Sequence, residues 1–179
     1  MIDSRVHYRA KSVAQGAGPF WRKCAIFGLL VCLASARQIS AEIIEGRVIG
    51  IHDGDSLTLL TQSQKKHRIR LAEIDAPEEG QKFAELSTKA LAGKVFGKWI
   101  TVKSKVRDQY SRIIGTVLLE GENVNLWMVK QGFAWHYAAY SEDSDFANAE
   151  ILARKAKRGI WVNAPPMPPW EFRKRMKQN

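Results

Sequence analysis

The stretch EIIEGRVIGIHDGDSLTLL, Glu42 to Leu60, sets two apolar runs on either side of Asp53-Gly54-Asp55. Both runs read as strands: the first, Glu42 to Ile51, is rich in β-branched residues, and the second, Ser56 to Gln62, alternates loosely. Asp-Gly between such runs is a strong hairpin signal, because a primed turn needs residues that tolerate positive φ. One aspartate is enough for that turn. Asp55, at the mouth of the second strand, therefore either satisfies local backbone amides or has another task.

Outward from this hairpin, KKHRIRLAEI (Lys65 to Ile74) reads as a third strand, with Ile69 and Leu71 on one face and Arg68 and Arg70 on the other. Pro77 closes it. Phe83, Leu86, Ala90, Leu91 and Val95 recur at helical spacing between Gln81 and Phe96, and Gly97 stands where a C-terminal cap belongs. Two more strands, Trp99 to Val106 and Arg112 to Glu120, flank the polar RDQYS. A short helix over Val124 to Gly132 and a third over Asp145 to Gly159 follow, the latter with Asp145 as cap and Gly159 as stop. Three strands, a helix, two strands and two helices is the order of an OB-type barrel. The expected fold is therefore α+β, a five-stranded OB-type β-barrel with three helices over residues 42–162. The stretch IWVNAPPMPPWEFRKRMKQN, Ile160 to Asn179, holds four of the six prolines, which exclude helix up to about Trp170. It reads as an irregular tail that packs its tryptophans on the body and then frays, with residues 163–179 as its Pro-rich and basic part.

The chain's 179 residues suit one domain, and 28 Lys and Arg against 18 Asp and Glu give a net charge of +10. Both cysteines, Cys24 and Cys32, fall in CAIFGLLVCLASA, thirteen apolar or small residues behind Arg22-Lys23. That is a basic region and an apolar run too short to span a bilayer comfortably. Residues 1–41 are therefore expected to be a signal peptide with a long leading region, cleaved after Ala36 or Ala41; a short buried helix or uncleaved anchor is the alternative. Cleavage after Ala41 removes six basic residues and one acid, leaving a cysteine-free chain of net +5. Such a chain stands on its core without disulfides, and its charge suits a polyanionic partner or a solvated surface.

Asp53, Asp55, Arg70, Asp75, Glu78 and Arg112 cluster around the turn-rich edges of these strands. Two aspartates at strand ends can supply oxygens to a hard cation such as Ca²⁺. A glutamate beside them can take a proton from an attacking water, and two arginines can fork onto phosphate oxygens. Together these are what phosphodiester hydrolysis requires. Each also has an ordinary explanation: turn chemistry for Asp53 and Asp55, a loop position for Asp75, a helix N-terminus for Glu78, exposed strand positions for Arg70 and Arg112. Strict alternation, moreover, sends Arg70 and Asp75 to opposite faces of one strand unless it ends or bulges between them.

In the segments DGDS, RIRLAEIDAPE and DQYSRIIGTV, in that order, and in the later VKQGFAWHYAAYS and KRGIW, the chain resembles the staphylococcal-nuclease-like (thermonuclease) family from about Ile43 to Trp161. The resemblance implies an OB barrel with helices and calcium-dependent cleavage of DNA and RNA. It implies that Asp55 and Asp75 bind Ca²⁺ through carboxylates and Ala76 through its carbonyl. Glu78 would be the general base, Arg70 and Arg112 would hold the scissile phosphate, Tyr110 would lie along the nucleotide, and Tyr140 would line its pocket. Ser56 stands where threonine is commonest, and Gln109 where the best-known member has a lysine, so a terminal-phosphate contact is in question. Ala138 stands where that member has a second pocket tyrosine, which Tyr137 can replace. Tyr137 and Tyr140 suit sequence-tolerant base stacking, whereas Trp127, Phe133 and Trp135 fall at packing positions and His136 reads as a packing or surface histidine. The expected protein is a secreted or periplasmic calcium-dependent nuclease, a monomer, acting on DNA and RNA with no membrane contact beyond the signal peptide. A non-catalytic OB-type nucleic-acid-binding module and an oligosaccharide-binding OB domain are the alternatives.

Overall fold

Alternation of apolar residues at every second position builds the first half of the domain. In β1 (Ile43–Ile51) the side facing inward carries Ile44, Gly46 and Val48, and their neighbours face out. The same logic shapes β2 (Ser56–Leu60), β3 (Lys66–Leu71), β5 (Trp99–Arg107) and β6 (Ile113–Leu119). A computed structural model of the protein describes residues 42–163 and 166–178; the expected signal peptide lies outside the described residues. The five strands run in the order β3-β2-β1-β5-β6, and a parallel β3–β6 pairing, Ile69↔Ile113 to Leu71↔Gly115, closes them into a barrel. Leu57, Leu59, Ile69, Leu71, Ile100, Val102, Ile113 and Val117 fill its interior. The chain is thus an α+β OB-type barrel, and closure leaves no long unpaired edge among these strands.

Three two-residue strands, β4 (Ile74–Asp75), β7 (Glu122–Asn123) and β8 (Trp135–His136), tie the ends together, with β4 paired to β8. Helix α1 (Ala84–Val95) buries Ser87, Leu91 and Val95 against the barrel. Helix α2 (Val124–Lys130) is capped by the Asn123 side chain, which accepts from the Leu126 amide. Helix α3 (Ser144–Lys155) is capped by Asp143 rather than the expected Asp145; the Asp143 carboxylate accepts from the Asp145 amide, and Asp145 lies in the first turn. Gly132, at φ 75°, lies against the Arg158 carbonyl, so closely that a Cβ there would come within 2.4 Å of it. This backbone approach docks the segment after α3, a 3₁₀ turn at Gly159–Trp161, onto the end of α2.

Two further expectations are corrected by the fold. The hairpin at Asp53-Gly54 is not a primed turn: Gly54 is absent from the positive-φ residues, and residues 52–55 form a wider connection closed by the His52 amide on the Ser56 carbonyl. Glycine is required there by space, because a Cβ would fall 1.9 Å from Ser87 Oγ and 2.7 Å from Ala76 Cβ. The tail is not irregular throughout, and the described residues hold four α-helices rather than three. Pro169 begins α4 (Pro169–Met176), where its fixed φ and missing N–H fit the first helical position. Glu171 in its first turn and Arg173, Lys174 and Arg175 in its last complement the helix dipole. As expected, the tail's Trp170 packs on the body, beside a second cluster of Trp135, Ala153, Ile160 and Trp161.

Candidate active site

Strand register gathers the charged residues at one end of the barrel. Arg70 pairs with Ser56 on one side, one residue after Asp55, and with Ile114 on the other, two residues after Arg112. Asp53 makes the connection before β2: one of its carboxylate oxygens accepts from the Asp55 amide and the other from Ser56 Oγ, both at 2.9 Å. Asp55 is left to turn inward. The alternation problem between Arg70 and Asp75 is resolved by a break. β3 ends at Leu71, Glu73 takes a left-handed φ of 69°, and the chain resumes as β4 with Asp75 facing Arg70.

A fully buried side chain holds that break in place. Asn125, on α2, accepts from the Val117 amide at 3.0 Å and donates to the carbonyls of Ala72 at 3.0 Å and Gly115 at 3.1 Å. The Ala72 amide donates in turn to the Gly115 carbonyl. An asparagine in a short helix gives no sequence signal for such a clamp.

Asp55 and Asp75 are both buried, and one guanidinium joins them. Arg70 Nε lies 3.0 Å from Asp55 Oδ1, and Arg70 Nη2 lies 2.9 Å from Asp75 Oδ1. Arg70 Nη1 donates to the carbonyls of Leu71 and Ile74. Three of its N–H groups thus donate hydrogen bonds among the described residues and Nε is ion-paired with Asp55, leaving one N–H on Nη2. The second Asp55 oxygen accepts from the Ala76 amide at 2.7 Å. Burial pushes the Asp55 carboxyl well above its usual range; Arg70 opposes that, and the neighbouring charges of Asp53 and Asp75 add to it. Burial thus works against the charged form of Asp55, a form that an added cation would favour.

Arg112 is oriented from the hairpin between β5 and β6. Asp108 accepts from Arg112 Nε at 2.7 Å and from the amides of Arg112 and Tyr110, both at 2.9 Å. Burial raises the Asp108 carboxyl, but these hydrogen bonds and the Arg112 charge together hold it below the usual range. With Nε occupied, both Nη groups of Arg112 have no partner among the described residues, and its guanidinium lies 5.7 Å from the Tyr110 ring centre. A cleft of about 910 Å³ brings Asp55, Arg70, Glu78, Arg112 and the tyrosines 110, 137 and 140 to one wall system, above buried Asp75. Tyr110 and Tyr140 are exposed, and Tyr140 and Tyr137 lie 4.8 Å apart between ring centres. His136 packs beside Phe146, and Trp135 is core, as the sequence suggests.

Two residues in this cleft, Arg173 and Lys177, come from a part of the chain given no site role by the sequence. Arg173, on α4, donates through Nη1 and Nη2 to the two Asp75 oxygens at 3.1 and 2.8 Å, and Nη1 also pairs with Glu78. These contacts raise its own already high pKa, against the opposing effect of burial. No group of three or more His, Cys, Asp or Glu side chains is placed to hold a metal ion among the described residues. The donor set nonetheless fits a hard divalent cation: carboxylate oxygens only, from buried Asp55 and Asp75 with Glu78 beside them. Such an ion takes the rest of its shell from carbonyls, water and substrate.

A model of the family described as staphylococcal nuclease homologue matches residues 68–163. The chain is 39% identical over 158 residues to an uncharacterized endonuclease of Haemophilus influenzae, covering 88% of this chain and 89% of the relative. It is 44% identical over 133 residues to an uncharacterized endonuclease of Escherichia coli, covering 74% and 86%. A micrococcal nuclease of Shigella flexneri is 32% identical over 167 residues, covering 81% and 95%.

Proposed function

The chain belongs to the staphylococcal nuclease family, and from that premise we propose that it is a calcium-dependent nuclease hydrolysing the phosphodiester bonds of DNA and RNA with little sequence preference. The observation that carries this reading is the pairing of two buried aspartates through Arg70, at the foot of a cleft also lined by Glu78 and Arg112. The endonuclease and micrococcal nuclease names of the relatives agree with it. A non-catalytic binding module has no need of carboxylates, proton acceptor and free arginine fork at one place.

In this reading Asp55 and Asp75 would hold Ca²⁺ with the Ala76 carbonyl, and the ion would supply Lewis-acid charge. The protein's own groups do the rest. The two Nη groups of Arg112, freed for substrate because Asp108 takes Nε, fork onto phosphate oxygens and meet the charge that builds as phosphorus becomes five-coordinate. Arg70 keeps the aspartates in register and offers its remaining Nη2 N–H to the same phosphate. Glu78 accepts a proton on its carboxylate from the attacking water as the new P–O bond forms and the bond to the leaving oxygen breaks. Tyr110, Tyr137 and Tyr140 give apolar faces to neighbouring bases, which accept any base because every base has a π-face. We place the protein outside the cytoplasm, in the periplasm or the medium, as a monomer, on the strength of the apolar run behind Arg22-Lys23 and the cysteine-free remainder. Release of acid-soluble nucleotides from DNA and from RNA, with Ca²⁺ and again with chelator, tests the activity. Binding of oligonucleotides without any release under either condition would replace it with the binding-module reading.

A further inference from the structure

The C-terminal helix covers the two places that substrate and cation need. Arg173 occupies both oxygens of Asp75 and reaches Glu78, so a single guanidinium bridges a metal-binding carboxylate and the proton acceptor. One turn earlier, Trp170 lies flat on Tyr137, with ring centres 5.5 Å apart and planes 5° apart, the arrangement a stacked base would adopt. The Gln81 side chain ties both ends of the contact, donating to the Met167 carbonyl and accepting from the Glu78 amide. These are independent observations on two subsites, and both involve α4.

The attachment is of a separable kind. Of the eight residues of α4 only Pro169 is buried, with Trp170 half-buried beside the second cluster. The helix is therefore held by the Arg173 ion pairs to Asp75 and Glu78, by Trp170 and by one hydrogen-bonded glutamine rather than by a continuous apolar face. Arg173 itself remains 37% exposed. A divalent cation competes with Arg173 for Asp75 Oδ2, the oxygen that Arg70 leaves untouched, and a base cannot stack on the face of Tyr137 that Trp170 covers.

We infer that α4 is an autoinhibitory strap: Arg173 stands in for the cation at Asp75 and Glu78, Trp170 stands in for a base on Tyr137, and Ca²⁺ with a nucleic-acid strand displaces both. This rests on the calcium-dependent reading of the site. Displacement frees Arg173 and the cleft-lining Lys177 for phosphates, so the residues that close the empty site add charge to the loaded one. The empty enzyme is thereby held closed, and Ca²⁺ alone competes with an internal cation until polymer arrives.

The test is calorimetric titration of the whole protein with Ca²⁺, without substrate, for the wild type, Arg173→Gln and Trp170→Ala. Amide exchange over residues 169–176 is measured with and without Ca²⁺. A strap closed about 80–90% of the time lowers the apparent Ca²⁺ affinity about fivefold to tenfold, so Arg173→Gln is expected to bind tighter by that factor. Trp170→Ala moves in the same direction without touching a carboxylate, and Ca²⁺ speeds exchange in α4 of the wild type. Unchanged or weaker Ca²⁺ binding in Arg173→Gln, in a protein that binds Ca²⁺ and releases nucleotides, overturns the strap alone. Absence of Ca²⁺ binding in wild type and variant alike overturns the strap together with the calcium reading.

Discussion

Asn125→Leu keeps side-chain volume but removes every polar atom of the clamp that sets the turn between Arg70 and Asp75. Two buried backbone groups then lose the partner seen here: the Val117 amide and the Ala72 carbonyl. The Gly115 carbonyl keeps the Ala72 amide. Each orphaned buried group costs about 1–3 kcal/mol, so the variant is expected to lose about 2–6 kcal/mol of stability. For a domain of this size that is a fall in Tm on the order of 10 °C. Turnover should fall as well, beyond what unfolding explains, because the Ala72-Glu73 turn aims Asp75. Urea unfolding and turnover measured below the transition separate the two effects. Asn123→Ala is the comparison: it loses only the cap of α2 and should cost about 1 kcal/mol, with turnover intact. An Asn125→Leu protein within about 1 kcal/mol of wild type would refute the clamp.

Arg112→Lys keeps the charge but loses the planar fork, and is expected to lower the rate by about 10²–10³ with the unfolding curve unchanged. Glu78→Gln should lower turnover without weakening calorimetric Ca²⁺ binding, because the strap contact it loosens is one that competes with the cation. Asp108 has a depressed pKa in the folded state, so its contribution to stability is full at neutral pH and is lost as pH falls below about 4; Asp108→Asn should flatten the acid limb of a Tm-versus-pH curve and lower turnover through Arg112. Gly54→Ala forces a methyl group against Ser87 and Ala76 and is expected to destabilise by about 1–3 kcal/mol in denaturant titration.

The barrel was legible because its strands alternate with period two and its larger helices repeat near 3.6 residues, patterns that burial alone imposes. The order of elements then left few alternatives. The site was legible as a set of residue types and, through the family resemblance, as roles, but not as a geometry. Asp55, Arg70 and Asp75 meet only because Glu73 breaks the strand in a left-handed conformation, and a glutamate does not announce that break. Gly54 carried a misleading signal: Asp-Gly suggests a turn, while the space taken by Ser87, 33 positions later, is a tertiary fact. Asn125 and Arg173 were invisible for the same reason, since Arg173 reaches Asp75 across 98 positions of chain. The prolines before α4 suggested irregularity because proline ends helices; here Pro169 starts one.

Turnover as a function of Ca²⁺ concentration, for the wild type and Asp55→Ala, tests the central claim that the Asp55–Arg70–Asp75 group at the foot of the cleft is the catalytic cation site. The wild type should be inactive in chelator and saturate with Ca²⁺. Asp55→Ala should need far more Ca²⁺ for half-maximal rate and recover part of the lost rate in excess. A Ca²⁺ curve for Asp55→Ala that superimposes on that of the wild type would contradict the account.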